Sequence, residues 1–378
     1  MRVLITGGAG FIGARLARKL ASQGAQITLL DNLSPQVHGT DADFAPQLRE
    51  LATCVKGDVR DREALASALA GQEVVVHLAA ETGTGQSMYA VRHYEEVNVG
   101  GTALLLDLLV NAPKRSIQKL VVASSRAIYG EGKYECAQHG VIFPAPRREA
   151  DLKRGQFEPT CPHCEQPAKV LATSEEAPFS PSSFYGLTKQ VQEQMTLLFA
   201  RSLGISGFAL RYQNVYGPGQ SLSNPYTGLL AVFSNLVRMG KPLDVFEDGL
   251  ESRDFVYVDD VVDATAGLIA PQVTGVHAFN VGSGVRTAVI DVARSVVQYF
   301  NANVPVRVSG SYRVGDIRHN FADISAIQAA SSFTPRWAFQ DGLREFLRWS
   351  EDFKPADAGF EKSLAELRER GLLGSAKA

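Results

Sequence analysis

Tyr185 and Lys189 lie four residues apart in a stretch of helical periodicity, so their side chains share one helix face. A phenol with its ordinary pKa of about 10 is a poor base at neutral pH, and an ammonium beside it favours the phenolate. Ser125 ends the apolar run Lys119-Leu120-Val121-Val122-Ala123-Ser124-Ser125, where its hydroxyl can hold a substrate oxygen while a proton moves. A Tyr-x-x-x-Lys pair by itself is common and ordinarily marks a solvated face. Its chemistry depends on what the rest of the chain places around it.

Two further constellations carry chemistry. Gly7-Gly8-Ala9-Gly10-Phe11-Ile12-Gly13 is a loop whose bare backbone can approach a pyrophosphate closely, with a helix beginning at its end. Cys136-x-x-His139 and Cys161-x-x-Cys164 are two ligand pairs with the spacing of a structural zinc knuckle, and Pro162 suits a tight turn around the metal. Such a site has no spare ligand for catalysis; the plain alternative is free thiols in a surface loop. Cys54 reads as a small core residue and His77 as a structural one.

The elements that must position these residues begin at the N-terminus. Arg2-Val3-Leu4-Ile5-Thr6 reads as a buried strand, the glycine loop and a helix over 14–23 follow, and a second strand ends on Asp31. Strand, glycine loop, helix, strand and acid in this order form a dinucleotide-binding unit. Asp31 is placed to hydrogen-bond the adenosine ribose and to repel a 2′-phosphate, which selects NAD over NADP. The positive nicotinamide of oxidised NAD would add to the pull of Lys189 on the Tyr185 phenol.

Further strands are expected at 51–56, 74–80, 119–125 and 207–212, with helices between them, and Asp61 can cap the helix over 62–70. This alternation predicts an α/β fold, a doubly wound parallel Rossmann sheet with a smaller C-terminal α/β substrate domain. The NAD-binding domain spans 1–216 with a cysteine-containing insert at 131–181. Residues 254–282 are expected to return to it. The substrate domain is expected mainly over 217–355, and a helical tail over 356–378.

Charge is nearly balanced, with 38 basic against 40 acidic residues in 378, so neither nucleic acid nor an anionic membrane surface is an expected partner. No apolar run approaches the ~18 residues of a membrane span. The first apolar residues already belong to the nucleotide-binding unit, which argues against a signal peptide and for a cytoplasmic location. Four cysteines in so long a chain make no disulfide framework.

Taken together, Thr6-Gly7-Gly8-Ala9-Gly10-Phe11-Ile12-Gly13, Asp58-Val59, His77-Leu78-Ala79-Ala80, Asn98, Ser124-Ser125 and Tyr185-x-x-x-Lys189 resemble the extended short-chain dehydrogenase/reductases, in their NAD-dependent epimerase/dehydratase branch. Arg211-Tyr212-Gln213-Asn214-Val215-Tyr216-Gly217-Pro218, Arg253-Asp254-Phe255-Val256-Tyr257-Val258-Asp259-Asp260 and Arg313-x-Gly315-Asp316 extend the match, which covers roughly residues 1–350 in order. The resemblance implies that Ser125, Tyr185 and Lys189 are the catalytic trio. It implies that Gly7, Gly10, Phe11, Ile12, Gly13, Asp31, Asn32, Asp58, Val59, Leu78, Ala79, Ala80, Asn98 and Ser124, with Tyr185 and Lys189, contact NAD. Ser125, Arg126, Asn214, Arg253 and Arg313 would contact a nucleotide-diphosphate sugar, whose pyrophosphate suits fork-shaped arginine donors.

Nucleotide-sugar 4,6-dehydratases of this family carry an Asp-Glu pair where this chain has Arg126-Ala127. Elimination therefore lacks its proton carriers, and 4-epimerisation or simple oxidation/reduction at carbon 4 is left. The run from Ser124 to Tyr134 together with the insert resembles the dTDP-L-rhamnose 4-epimerase subfamily. A dehydrogenase or reductase acting on the same carbon and a UDP-sugar 4-epimerase are the alternatives, and a non-catalytic NAD-binding regulator a remote one. The helices over 101–110 and 185–203 carry leucine and methionine on more than one face. In this family the corresponding pair forms a dimer interface, which implies a homodimer.

Overall fold

Strands that are apolar on both faces must be covered on both faces, which in practice means a parallel sheet with helices on each side. The computed structural model describes residues 1–113, 116–222, 224, 228–331, 333–355 and 359–376. Its central sheet has seven strands, all pairing in parallel, in the order Val276–Val281, Ser206–Tyr212, Lys119–Ser125, Val74–His77, Arg2–Thr6, Gln26–Asp31, Ala52–Lys56. Counted along the chain this is 3-2-1-4-5-6-7, the doubly wound arrangement. Its strand order reverses between Arg2–Thr6 and Val74–His77, where ligands of such folds sit.

One core lies between the sheet and the helices Phe11–Ser22 and Val258–Ile269, with Leu16, Ala17, Val261 and Leu268 fully or almost fully buried. The other side is closed by Leu65, Leu105, Leu106 and Leu109, with Met195, Phe199 and Leu203 packed against them. The longest helix, Phe184–Leu203, begins where the Ser183 hydroxyl accepts the Gly186 N–H at 3.1 Å. It ends at Gly204, whose φ of +65° is open to glycine at little cost. Asp61 accepts N–H bonds from Glu63 and Ala64 as the cap of Arg62–Leu69.

The expected helix through Val97 to Val110 differs in one respect: over Glu95–Gly100 it widens into a π-turn, a feature without a periodic signature. Beyond the central sheet, Ser252–Tyr257 pairs with Asn214–Tyr216, Arg286–Ala288 and His319–Asn320. In the insert, Tyr134–Cys136 lies between Gly140–Ile142 and Lys169–Val170. The tail carries the helix Phe360–Glu369 and then a strand, Leu373–Ser375, which pairs with Ser311–Arg313. A three-residue strand whose partner lies some sixty positions away leaves no pattern in its own residues. No described helix is long and apolar enough to cross a membrane.

Candidate active site and cysteine cluster

A cleft of about 490 Å³ opens at the strand ends beside the order reversal. Its floor is the glycine loop. Gly7 has a φ of +67°, and a Cβ there would stand 2.8 Å from the Ala79 nitrogen. A Cβ on Gly13 would stand 2.4 Å from the Gly7 carbonyl oxygen. No side chain caps the N-terminus of Phe11–Ser22, so its first N–H groups remain for an anion. Asp31 is held at the end of its strand by the N–H groups of Ala9 (3.0 Å) and Leu33 (2.9 Å). Arg60, with Asn32, keeps the Asp58 carboxyl well below the usual range. This cradle fits a dinucleotide pyrophosphate with an acid at the ribose.

Every residue expected to contact cofactor lines this cleft except Asn98. Asn98 is fully buried behind the wall, on the π-turn. Its amide accepts from Glu81 N–H (2.8 Å) and donates to Glu81 C=O (3.1 Å) and the Thr188 hydroxyl (3.0 Å), fixing the loop after the fourth strand. Ser125, Arg126 and Asn214 line the cleft as well, and Arg126 donates to Asn214 Oδ1 at 2.9 Å.

Arg253 and Arg313 stand outside this wall. The Arg253 guanidinium donates to the carbonyls of Ser252, Ile317 and Arg318 and to Asp316 Oδ1, all at 2.9–3.0 Å. Arg313 lies over the Phe246 ring, 4.9 Å from its centroid, and its Nε has no partner among the described residues.

Ser125, Tyr185 and Lys189 meet at one end of the cleft. The Tyr185 N–H donates to Ser87 Oγ (2.9 Å), which pins the start of its helix, and the Tyr185 ring meets Tyr94 edge-on at 6.5 Å. Burial pushes the Tyr185 phenol above its ordinary pKa, against the opposing pull of Ser125 and Arg126. Burial also brings Lys189 down to about 7, and its Nζ donates to the Ala123 carbonyl at 3.0 Å, 5.9 Å from the Tyr185 ring centroid. For Tyr185 the pull towards the phenolate comes from the Ser125 hydroxyl and Arg126, and burial outweighs it. His77 is fully buried between Thr6 and Thr102, and burial lowers it to about 3, so it is a neutral core residue.

Two groups escape a sequence reading. Gln213 lines the cleft, is 5% exposed, and neither of its amide atoms has a partner among the described residues. Buried side-chain amides are ordinarily hydrogen-bonded, which sets this one apart. Glu193, also buried, accepts from Ser124 Oγ (2.6 Å) and from Arg211, tying the Lys119–Ser125 strand to the helix of Tyr185. Only its place one turn beyond Lys189 could have marked it.

In the insert, Cys136, His139, Cys161 and Cys164 bring their ligand atoms within 4.8 Å of one another. Sγ of Cys136 is 3.6 Å from His139 Nδ1 and 3.6 Å from Cys164 Sγ, and Cys161 Sγ is 3.5 Å from His139 Nδ1. The Gln138 amide and His139 draw the Cys136 thiol down to about 6.

Comparison with known proteins agrees with this geometry. Residues 3–282 match the family described as "NAD dependent epimerase/dehydratase family". The dTDP-L-rhamnose 4-epimerase of Burkholderia thailandensis is 37% identical over 352 residues, 92% of this chain and 94% of that protein. Among solved structures, the UDP-glucose 4-epimerase of Thermotoga maritima with UDP-glucose superimposes with a TM-score of 0.74 at 27% identity, over 93% of this chain and 99% of that one. The UDP-glucose 4-epimerase of Thermus thermophilus, in complex with NAD, gives a TM-score of 0.72 at the same identity and coverage. With a glycine cradle, a strand-end serine and a Tyr-x-x-x-Lys helix converging on one cleft, this chain belongs to the NAD-dependent epimerase/dehydratase family.

Proposed function

We propose that this enzyme is an NAD-dependent nucleotide-sugar 4-epimerase that interconverts dTDP-L-rhamnose and dTDP-6-deoxy-L-talose. The observation that carries the reaction class is the meeting of Ser125, Tyr185 and Lys189 in the same cleft as the dinucleotide cradle. The 37% identical relative supports the choice of sugar. When bound, NAD supplies a reversible hydride acceptor for carbon 4. The residues of the chain move the proton: Tyr185 Oη takes it from the 4-hydroxyl and later returns it, while the Ser125 hydroxyl holds the oxygen in both the alcohol and keto forms. Lys189 steadies the phenolate once the cleft is charged. The diphosphate is the tether about which the 4-keto sugar turns to present its other face, with Arg126, Asn214, Arg253 and Arg313 as its polar surroundings. Arg253 can serve there only after exchanging a partner such as Asp316 for the phosphate. Incubation of the purified protein with dTDP-L-rhamnose, without added NAD, should give the 4-epimer by NMR, while UDP-sugars should be left unchanged. A released keto sugar formed in proportion to added NAD would favour the dehydrogenase instead.

The cysteine cluster fits structural zinc. A tetrahedron with Zn–S near 2.3 Å and Zn–N near 2.0 Å has S···S edges of about 3.8 Å and S···N edges of about 3.5 Å. Three of the six separations, at 3.5–3.6 Å, lie close to those edges, and all six are within 4.8 Å. Cys161→Ser should lose the metal and lower the melting temperature, while NAD affinity stays within about a factor of two because additive effects are the rule for sites without shared partners. Metal analysis of protein prepared without chelator, finding no zinc, would end this assignment.

A homodimer is the assembly we propose. Leu187 and Leu198 on the helix Phe184–Leu203 are 43% and 57% exposed, and eleven residues make roughly three helical turns, so they share one face. Light scattering should give twice the chain mass, and Leu198→Glu should give the monomer.

A further inference from the structure

The insert holds the segment from which the arginines of the proposed nucleotide-sugar site are arranged. Arg147, with its side chain 4% exposed, pairs through Nε with Glu131 (3.0 Å). It donates through Nη1 to Glu247 (2.8 Å) and through Nη2 to the carbonyl of Asp316 (2.9 Å). Glu158 accepts from the guanidinium of Arg318, which is fully buried, at 2.6 and 2.8 Å. Leu152 and Phe157 pack on Tyr312. The segment gripped in this way, 312–318, carries Arg313. Its Asp316 carboxylate and its Ile317 and Arg318 carbonyls orient Arg253.

The insert has little of its own to keep this grip. Its core is Tyr134, Cys136, Ile142, Cys161 and Val170, and two of these five are cluster cysteines. Its strands are two or three residues long. Cys136 and His139 fix the hairpin that leads to Arg147, while Cys161 and Cys164 fix the turn that begins three residues after Glu158. A bound metal joins the two. Without it, Arg147 and Glu158 are free to drift apart; Arg318 keeps Glu247 and Asp248 as partners, but the 312–318 segment loses the Arg147 bond to its Asp316 carbonyl and the Glu158 pair to its Arg318 guanidinium.

We propose that metal loading of the Cys136–His139–Cys161–Cys164 cluster sets the enzyme's affinity for the nucleotide diphosphate, with Arg147 and Glu158 as positioning residues that hold the 312–318 segment. This rests on the nucleotide-sugar and zinc readings above. The coupling is reciprocal, so nucleoside diphosphate also tightens the metal.

Calorimetric titration of the full-length protein with dTDP, UDP and NAD tests it in three forms: zinc-loaded, zinc-stripped under reducing conditions, and Arg147→Met. The Kd of whichever diphosphate binds should rise about tenfold on stripping and in Arg147→Met, within the ordinary range of coupling between sites. The Kd of NAD should not move. KM for the nucleotide sugar should rise in Arg147→Met with kcat nearly unchanged, and Arg147→Lys should fall between. If Arg147→Met fails to fold, Glu158→Gln carries the test, with the same direction and a smaller effect. A diphosphate Kd unchanged in these variants, or NAD affinity and kcat falling together with it, would overturn the proposal and leave the epimerase reading standing. Wild-type protein that binds neither dTDP nor UDP would overturn both. Protein that never takes up zinc would overturn the metal control, and Arg147→Met would still decide the positioning.

Discussion

Tyr185→Phe is expected to lower turnover by ~10²–10⁴-fold, the usual worth of a positioned acid–base group. Nucleoside-diphosphate affinity should hardly change. The substitution removes one oxygen and leaves the ring in place against Tyr94 and the helix start pinned by Ser87, while Arg253 and Arg313 stand outside the cleft wall. Because burial holds the phenol above its ordinary pKa, the reactive phenolate gains population as pH rises. Wild-type kcat/KM, which reports the free enzyme, should therefore climb with pH up to about 7 and level off as Lys189 loses its charge, and the residual activity of Tyr185→Phe should lack that climb. Sugar deuterated at carbon 4 gives the sharper reading. Epimerised product should keep its deuterium, because Tyr185 handles only the oxygen-bound proton. Loss of the label to solvent would mean abstraction from carbon and a different mechanism.

Gly13→Ala should weaken NAD binding by about 10²-fold, the order of effect seen when a binding group is misplaced by an ångström. In most helices this exchange is favourable by up to ~1 kcal/mol. Here the new methyl would stand 2.4 Å from the Gly7 carbonyl oxygen and 2.9 Å from the Gly8 Cα, backbone atoms that can yield only if the loop itself moves. Gly267→Ala, in the helix Val258–Ile269, meets nothing closer than 3.8 Å and should be neutral or slightly stabilising. Equal NAD affinity in Gly13→Ala and wild type would show that the loop is not the pyrophosphate cradle.

The sheet and the dinucleotide cradle were legible in the sequence because their signals are local. A buried parallel strand is a run of aliphatic residues, and a phosphate loop is a run of glycines ahead of a helix. The same holds for Tyr185 and Lys189, which one helix brings onto one face, and for two Cys/His pairs of metal spacing. Sequence also put Ser125 at a strand end, and the parallel sheet then had only to carry it to the same edge as the glycine loop.

What the tertiary structure alone decided concerns environment and long-range pairing. Burial raises the Tyr185 phenol and lowers the Lys189 ammonium, a desolvation that their spacing in the sequence does not announce. Asn98 left the cleft wall because a π-turn, which no periodicity announces, aimed its amide at the backbone of Glu81. Gln213 lies at the cleft with an amide that no described residue partners, which no local pattern announces. Arg253 and Arg313 are legible as arginines, but Arg253 takes its partners from residues 316–318, a segment that Arg147 of the insert holds from more than a hundred positions earlier. A motif specifies which groups are available. Desolvation and contacts between distant segments, which depend on the whole packed chain, decide their charge and where they point.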